Sequence, residues 1–209
     1  MAEPQFDRCV FVNCPFDEEY DPILQAILFC IVYLDFIPRL AKGRTDSAES
    51  RLDKIKSMIE GSKYSIHDLS RCQAREEGEY YRLNMPFELG IDYGCRQYYG
   101  SGRENKKILI LEERPYRYQA GLSDLAGCDI LKHDGSFELA VRQVRNWLVS
   151  EAGAEALGAT RILGKYIDFQ GWHYEKQRAA GFSDDDIQDY HTKELLTAML
   201  AWKAAGEPL

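Results

Sequence analysis

Hydrophobic positions follow two rhythms over roughly the first 150 residues. Short, β-branched apolar runs predict buried strands at "RCVFVNC" (8–14), "FIPRLA" (36–41), "YSIHDLS" (64–70), "KKILILEE" (106–113) and, more weakly, "CDILKHD" (128–134). Between them, apolar residues recur at three- and four-residue spacing. "PFDEEYDPILQAILFCIVYLD" (15–35) turns helical near Asp21 and Pro22, because proline suits a first helical turn. "DSAESRLDKIKSMIEGS" (46–62) places Leu52, Ile55 and Ile59 on one face, with Met58 bordering it and Gly61 closing the helix. "RLNMPFELGIDYG" starts a third helix with Asn84 or Met85 at its cap, Pro86 in its first turn and Phe87 and Ile91 turned inward. "SFELAVRQVRNWLVSEAG" (136–153) is a fourth. Strands separated by helices predict a parallel sheet with helices on both faces. The fold class expected is α/β, a flavodoxin-like sheet of about five strands spanning 1–153.

The pattern changes beyond Gly153, and residues 154–209 are expected to form a helical C-terminal extension. "SDDDIQDYHTKELLTAMLAWKAAG" reads as one capped helix, with Ser183 or Asp184 at its start and Gly206 at its end. Its apolar positions Ile187, Tyr190, Leu195, Met199 and Trp202 would pack on the sheet domain or on a second copy or partner protein.

Composition narrows the function. The net charge of -8 argues against a duplex nucleic-acid binder, which needs a basic face, but leaves room for a small anionic ligand. The longest apolar run is about 12 residues, short of the roughly 20 that a bilayer span requires. Six cysteines and four histidines form no zinc pattern, and no resident cofactor or metal is called for. Cysteines set in apolar runs, such as Cys30 in "ILFCIVYL", fit reduced thiols in a cytoplasmic protein without a signal peptide.

In a parallel sheet, ligands bind beyond the carboxyl ends of the strands. Three segments should meet there: "NCPFDEEYD", with Asn13, Pro15 and Phe16; "HDLSR", with Asp68; and "NMPFELG", with Asn84 and Glu88. Asp68 ends an apolar strand, so it either faces the crevice or caps a turn. Glu88 either pairs with the positive end of its helix or acts on a ligand. Asp92, one turn on, shares the Glu88 face and would raise its pKa. Strand alternation puts His67 opposite Asp68, as a packed or surface histidine. Arg39, Arg44 and Arg51 are read as surface charges with a second reading as phosphate partners.

"MPFELGIDYG", preceded by a strand ending in Asp68, resembles the F-E-L-G helix of nucleoside 2-deoxyribosyltransferases, and "VFVNCPFDEEYD" resembles the first strand and loop of TIR-like proteins. The resemblance covers about residues 8–150. It implies a nucleotide pocket in which Glu88 acts at the sugar C1′, with Asp68 or Asn84 orienting hydroxyls or protonating the base. Asn13, Pro15, Phe16 and Asp92 would line the substrate. The transferases carry an aspartate and a Gly-Thr pair before this helix, where this chain has Leu83, Asn84, Met85 and Pro86. An amide binds a hydroxyl but cannot act as a base, so cleavage of an N-glycosidic bond is expected rather than transfer. The resemblance implies NAD as a substrate, a homo-oligomer, and a place in bacterial antiviral defence. The alternative is a module that binds a nucleotide without consuming it, or an adaptor built on the C-terminal helix.

Overall fold

The computed structural model describes residues 5–41, 48–71, 73–74, 77 and 82–209. Five parallel strands, β1 (Cys9–Asn13), β2 (Ile37–Arg39), β3 (Tyr64–Asp68), β4 (Lys107–Glu112) and β5 (Leu131–Lys132), form one sheet in the order β2-β1-β3-β4-β5. The fold is the flavodoxin-like α/β architecture expected. β2 lies at an edge, where Pro38 removes no ladder bond from a central strand.

Helices α1 (Asp21–Tyr33) and α4 (Phe137–Ala152) cover one face, packing on Val10, Val12, Ile66, Leu109 and Leu111. Helices α2 (Arg51–Glu60) and α3 (Asn84–Tyr98) cover the other, where Phe11 meets Ile55, Met58, Ile59 and Cys95. The ends of α4 follow its sequence: Ser136 accepts from the Leu139 N–H at 3.1 Å, and Gly153 closes the helix at φ 64°. Two side chains depart from expectation. Leu52 and Phe87 are exposed, because the buried stripes of α2 and α3 run through Ile55–Ile59 and through Met85, Glu88, Leu89, Asp92 and Cys95 instead.

The chain beyond α4 forms α5 (Ala159–Ala179), α6 (Asp184–Gln188) and α7 (Thr192–Ala204). The single C-terminal helix expected is two, because His191 starts a second cap by accepting from the Lys193 N–H at 3.2 Å. Helix α1 explains why these helices pack where they do. Ten of its 13 residues are buried, so it is apolar all round and needs a cover on the side away from the sheet. Helices α5 and α7 supply it: Phe29 packs against Tyr166, Phe169 and Trp202 at ring separations of 5.4, 5.6 and 5.8 Å. Lys203 also donates to the last carbonyl of α1, Tyr33 O, at 2.9 Å. Among the described residues, no helix is long and apolar enough to cross a membrane. Cys9, Cys14, Cys30 and Cys95 are buried, Cys128 is exposed, and Cys72 lies outside the described residues.

Candidate active site

The chain leaves β1 toward β2 on one side and returns to β3 on the other, so the strand order reverses between β1 and β3. Ligands of such sheets bind at this reversal, beyond the carboxyl ends of the strands. Asn13, which ends β1, pairs in register with His67, and Asp68 ends β3. A parallel register aims Asn13 and His67 to one face and Asp68 to the other.

On the α3 face a polar chain runs through the interior. The Asn13 amide nitrogen donates to Met85 O at 3.0 Å and lies 3.0 Å from His67 Nδ1. His67 Nε2 lies 2.9 Å from Asp92 Oδ2, and Lys106 Nζ lies 3.2 Å from Asp92 Oδ1. Lys106 also donates to the carbonyls of Ile59, at 2.7 Å, and Ser62. All four side chains are buried, with 0–2% of their surface exposed. Burial alone would raise the Asp92 carboxyl, but the His67 hydrogen bond and the Lys106 charge hold it below its ordinary range. Asp92 therefore carries a neutralised charge and is not available to a ligand.

Glu88 sits one turn before Asp92 on the same buried stripe. It is 5% exposed, so it is not an outward acid that merely complements the helix dipole. Among the described residues its ion-pair partner is Arg51, the first residue of α2, with Nη2 3.9 Å from Oε1. Burial pushes the Glu88 carboxyl above its usual range against the pull of Arg51, the His67 ring and a hydrogen bond with Asn84. Asn84 itself is exposed at the start of α3. A cavity of about 150 Å³ opens beside this first turn, lined by Leu69, Arg71, Met85, Pro86, Arg117 and Tyr118.

Asp68 belongs to a different network on the α1 face. Its Oδ2 accepts from Tyr20 Oη at 2.5 Å and lies 3.0 Å from His133 Nε2. Its Oδ1 accepts from the Ser70 N–H at 2.8 Å and from the Ser70 hydroxyl. His133 Nδ1 accepts from the Gly135 N–H at 3.2 Å, so a neutral ring carries its proton on Nε2 and donates toward Asp68. Burial opposes ionisation of Asp68, but the His133 ring and the Ser70 and Tyr20 hydroxyls hold the carboxyl below its ordinary range. Ser70, His133 and Asp68 are not a nucleophilic triad: the carboxylate meets the same ring nitrogen as the serine, and no orienting acid holds Nδ1.

The structure thus brings Glu88, Asn84, Asp92 and Asn13 to one face and sends Asp68 to the other. Pro15 is buried, and Phe16 packs against the α1-side core rather than toward Glu88. Arg39 donates to Gly61 O at 3.1 Å, Arg51 reaches Glu88, and Arg44 lies outside the described residues. His67 and Lys106 complete a network that sequence reasoning did not assemble. A polar residue closing each of two neighbouring apolar strands was the available signal for Asn13 and His67; nothing in "NKKILIL" marks Lys106. Among the described residues, no group of three His, Cys, Asp or Glu side chains could hold a metal. No family model, curated protein or solved structure matches this chain.

Proposed function

We propose that the chain is a nucleotide N-glycosidase acting through Glu88, with NAD the first substrate to test. One observation carries this reading. Glu88 is a buried carboxylate at the sheet reversal whose partners are an exposed arginine at 3.9 Å and the Asn84 amide, while the neighbouring acids Asp92 and Asp68 are consumed by internal bonds.

Among the described residues Glu88 is the one available carboxylate here, and that suits a particular leaving group. In NAD the C1′–N bond joins ribose to a cationic pyridinium ring. When that bond breaks, its electron pair returns to the ring nitrogen and neutral nicotinamide departs without needing a proton. Cleaving an uncharged purine or pyrimidine nucleoside would call for a second acid. Positive charge develops on the ribose, and the Glu88 carboxylate stabilises it. Water then forms the new C1′–O bond and gives its proton to Glu88, a group whose raised basicity suits that transfer. Asn84, beside Glu88 at the start of α3, would orient a sugar hydroxyl.

The test is mass-spectrometric detection of nicotinamide from NAD, with wild type beside Glu88→Gln. Release by wild type alone supports the reading. The 5% exposure of Glu88 also suits a module that holds a nucleotide without cleaving it. Saturable NAD binding with no nicotinamide released would favour that second reading.

A further inference from the structure

The polar chain on the α3 face begins and ends on the same helix. It leaves α3 at the Met85 carbonyl, crosses to β1 at Asn13, passes to β3 at His67 and returns to α3 at Asp92. Met85 and Asp92 lie three residues before and four residues after Glu88, on its own face of the helix.

The hydrogens in this circuit have one consistent arrangement. Met85 O can only accept, so Asn13 must present its NH₂ there. The same nitrogen faces His67 Nδ1, which must then be the bare, accepting nitrogen. The ring proton sits on Nε2 and is donated to Asp92, whose second oxygen faces Lys106. Each donor faces an acceptor; Asn13 Oδ1 and Asp92 Oδ1 are left without a hydrogen-bond partner among the described residues, the latter facing the Lys106 charge. A stack of buried polar groups is a poor way to stabilise a sheet–helix contact, since apolar side chains of similar volume do as well or better. What it does provide is direction: hydrogen bonds fix a helix in register and rotation where apolar contacts tolerate slippage.

We infer that Asn13, His67 and Asp92, anchored by Lys106, are positioning residues: they clamp α3 to the ends of β1 and β3 on both sides of Glu88 and so fix where its carboxylate stands. Asn13 in this role acts through α3 rather than by contacting substrate. The inference builds on Glu88 as the acting group, but the clamp itself has a readout that needs no turnover.

The first readout is ¹⁵N NMR of the imidazoles, a small set because the chain has four histidines. His67 is expected as the Nε2–H tautomer with an accepting Nδ1. A ring carrying its proton on Nδ1 overturns the clamp. Asn13→Ser should speed amide hydrogen exchange in the first two turns of α3 while leaving α4 unchanged; unaltered exchange in α3 would also overturn it. Both results stand whether or not NAD is cleaved.

The second readout is kinetic, with NAD as substrate. His67→Leu breaks both ring bonds and should lower kcat roughly 10²-fold, the scale of a displacement of about 1 Å, with KM little changed. His67→Gln can accept from Asn13 and donate to Asp92, and should recover most of that loss. A loss falling on KM, or a glutamine no better than leucine, would show that these residues do not work by position. If His67→Leu does not fold, Asn13→Ser takes its place and must show the same split. Absence of turnover in the wild type would count against the glycosidase alone, leaving the clamp to the NMR result.

Discussion

On the α1 face of β3, Asp68 receives the Tyr20 and Ser70 hydroxyls and the Ser70 amide, and faces the His133 ring. On the α3 face, Asn13 and His67 are just as deeply buried and are held by their own hydrogen bonds, yet the acid beside them, Glu88, is left with an arginine at 3.9 Å and an exposed amide. Both carboxylates lie at the same edge of the same sheet and both resist ionisation through burial, but their balances differ. Enough donors surround Asp68 to hold its carboxyl down, whereas Glu88 stays raised. A buried acid with its bonds made stabilises a fold, and a buried acid with bonds left to make is poised to act on something else.

The comparison is tested most severely by removing each acid in turn. Glu88→Gln should reduce nicotinamide release by at least about 10³-fold. It should do so without loss of stability. Because folding raises the Glu88 carboxyl, the protonated form is the one the fold favours, and stability declines as pH rises through the raised value. Glutamine does not ionise, so its melting temperature at pH 8 should equal or exceed that of the wild type, with the gap closing at pH 4. A stability loss in Glu88→Gln at pH 8 would place Glu88 with Asp68 as a structural acid.

Asp68→Ala should do the reverse. Leaving the donors of Tyr20, Ser70 and His133 unmatched in the interior should cost about 3–5 kcal/mol in urea unfolding at neutral pH. Turnover per folded molecule should be nearly unchanged. A selective loss of turnover with stability intact would return Asp68 to the active site.

A smaller effect separates the two acids by pH. The Asp68 carboxyl is depressed in the fold, so its contribution is fully present above the ordinary value near 3.8 and is lost as pH falls through the lower folded value. Acid unfolding of the wild type should steepen below that point, and Asp68→Asn should flatten it. The smallest effect belongs to Arg51, whose side chain is 59% exposed and therefore well screened. Arg51→Gln should weaken Glu88 ionisation by an amount typical of exposed pairs, roughly 0.2–1 kcal/mol, read as an acid limb of the rate profile moved to higher pH. An unmoved limb would mean that Arg51 does not act on Glu88.

The sheet and the first four helices were legible because each carries its period plainly; α1 begins at Asp21, where the proline signal placed it. The segment between β4 and β5 holds only short 3-10 turns at Arg117–Ala120 and Ser123–Leu125. Within the helical extension expected beyond Gly153, the bounds of α5 were not assigned, although Ile162, Tyr166, Phe169, His173 and Gln177 recur at helical spacing. Gly164 and Gly171 and the scattered aromatics hid that stripe, since both weaken local helix propensity while tertiary packing overrides them. In the site, Glu88 and Asp92 sharing a face was readable from their spacing. That Asp68 points away was also implicit in strand alternation, once His67 was seen to share the Glu88 side. Pairings between distant elements, such as Lys106 with Asp92, have no local signature at all.

The sandwiching of α1 has a consequence for how the chain is made. Helix α1 leaves the ribosome well before α7, since the contact from Lys203 to Tyr33 spans 170 residues. At the usual 5–20 residues per second, α1 would wait roughly 10–30 s for its outer cover. Through that interval a largely apolar helix lacks its outer cover, a natural target for chaperone holdases and a source of aggregation when synthesis is fast and crowded. A chain truncated before α7 would make that transient exposure permanent.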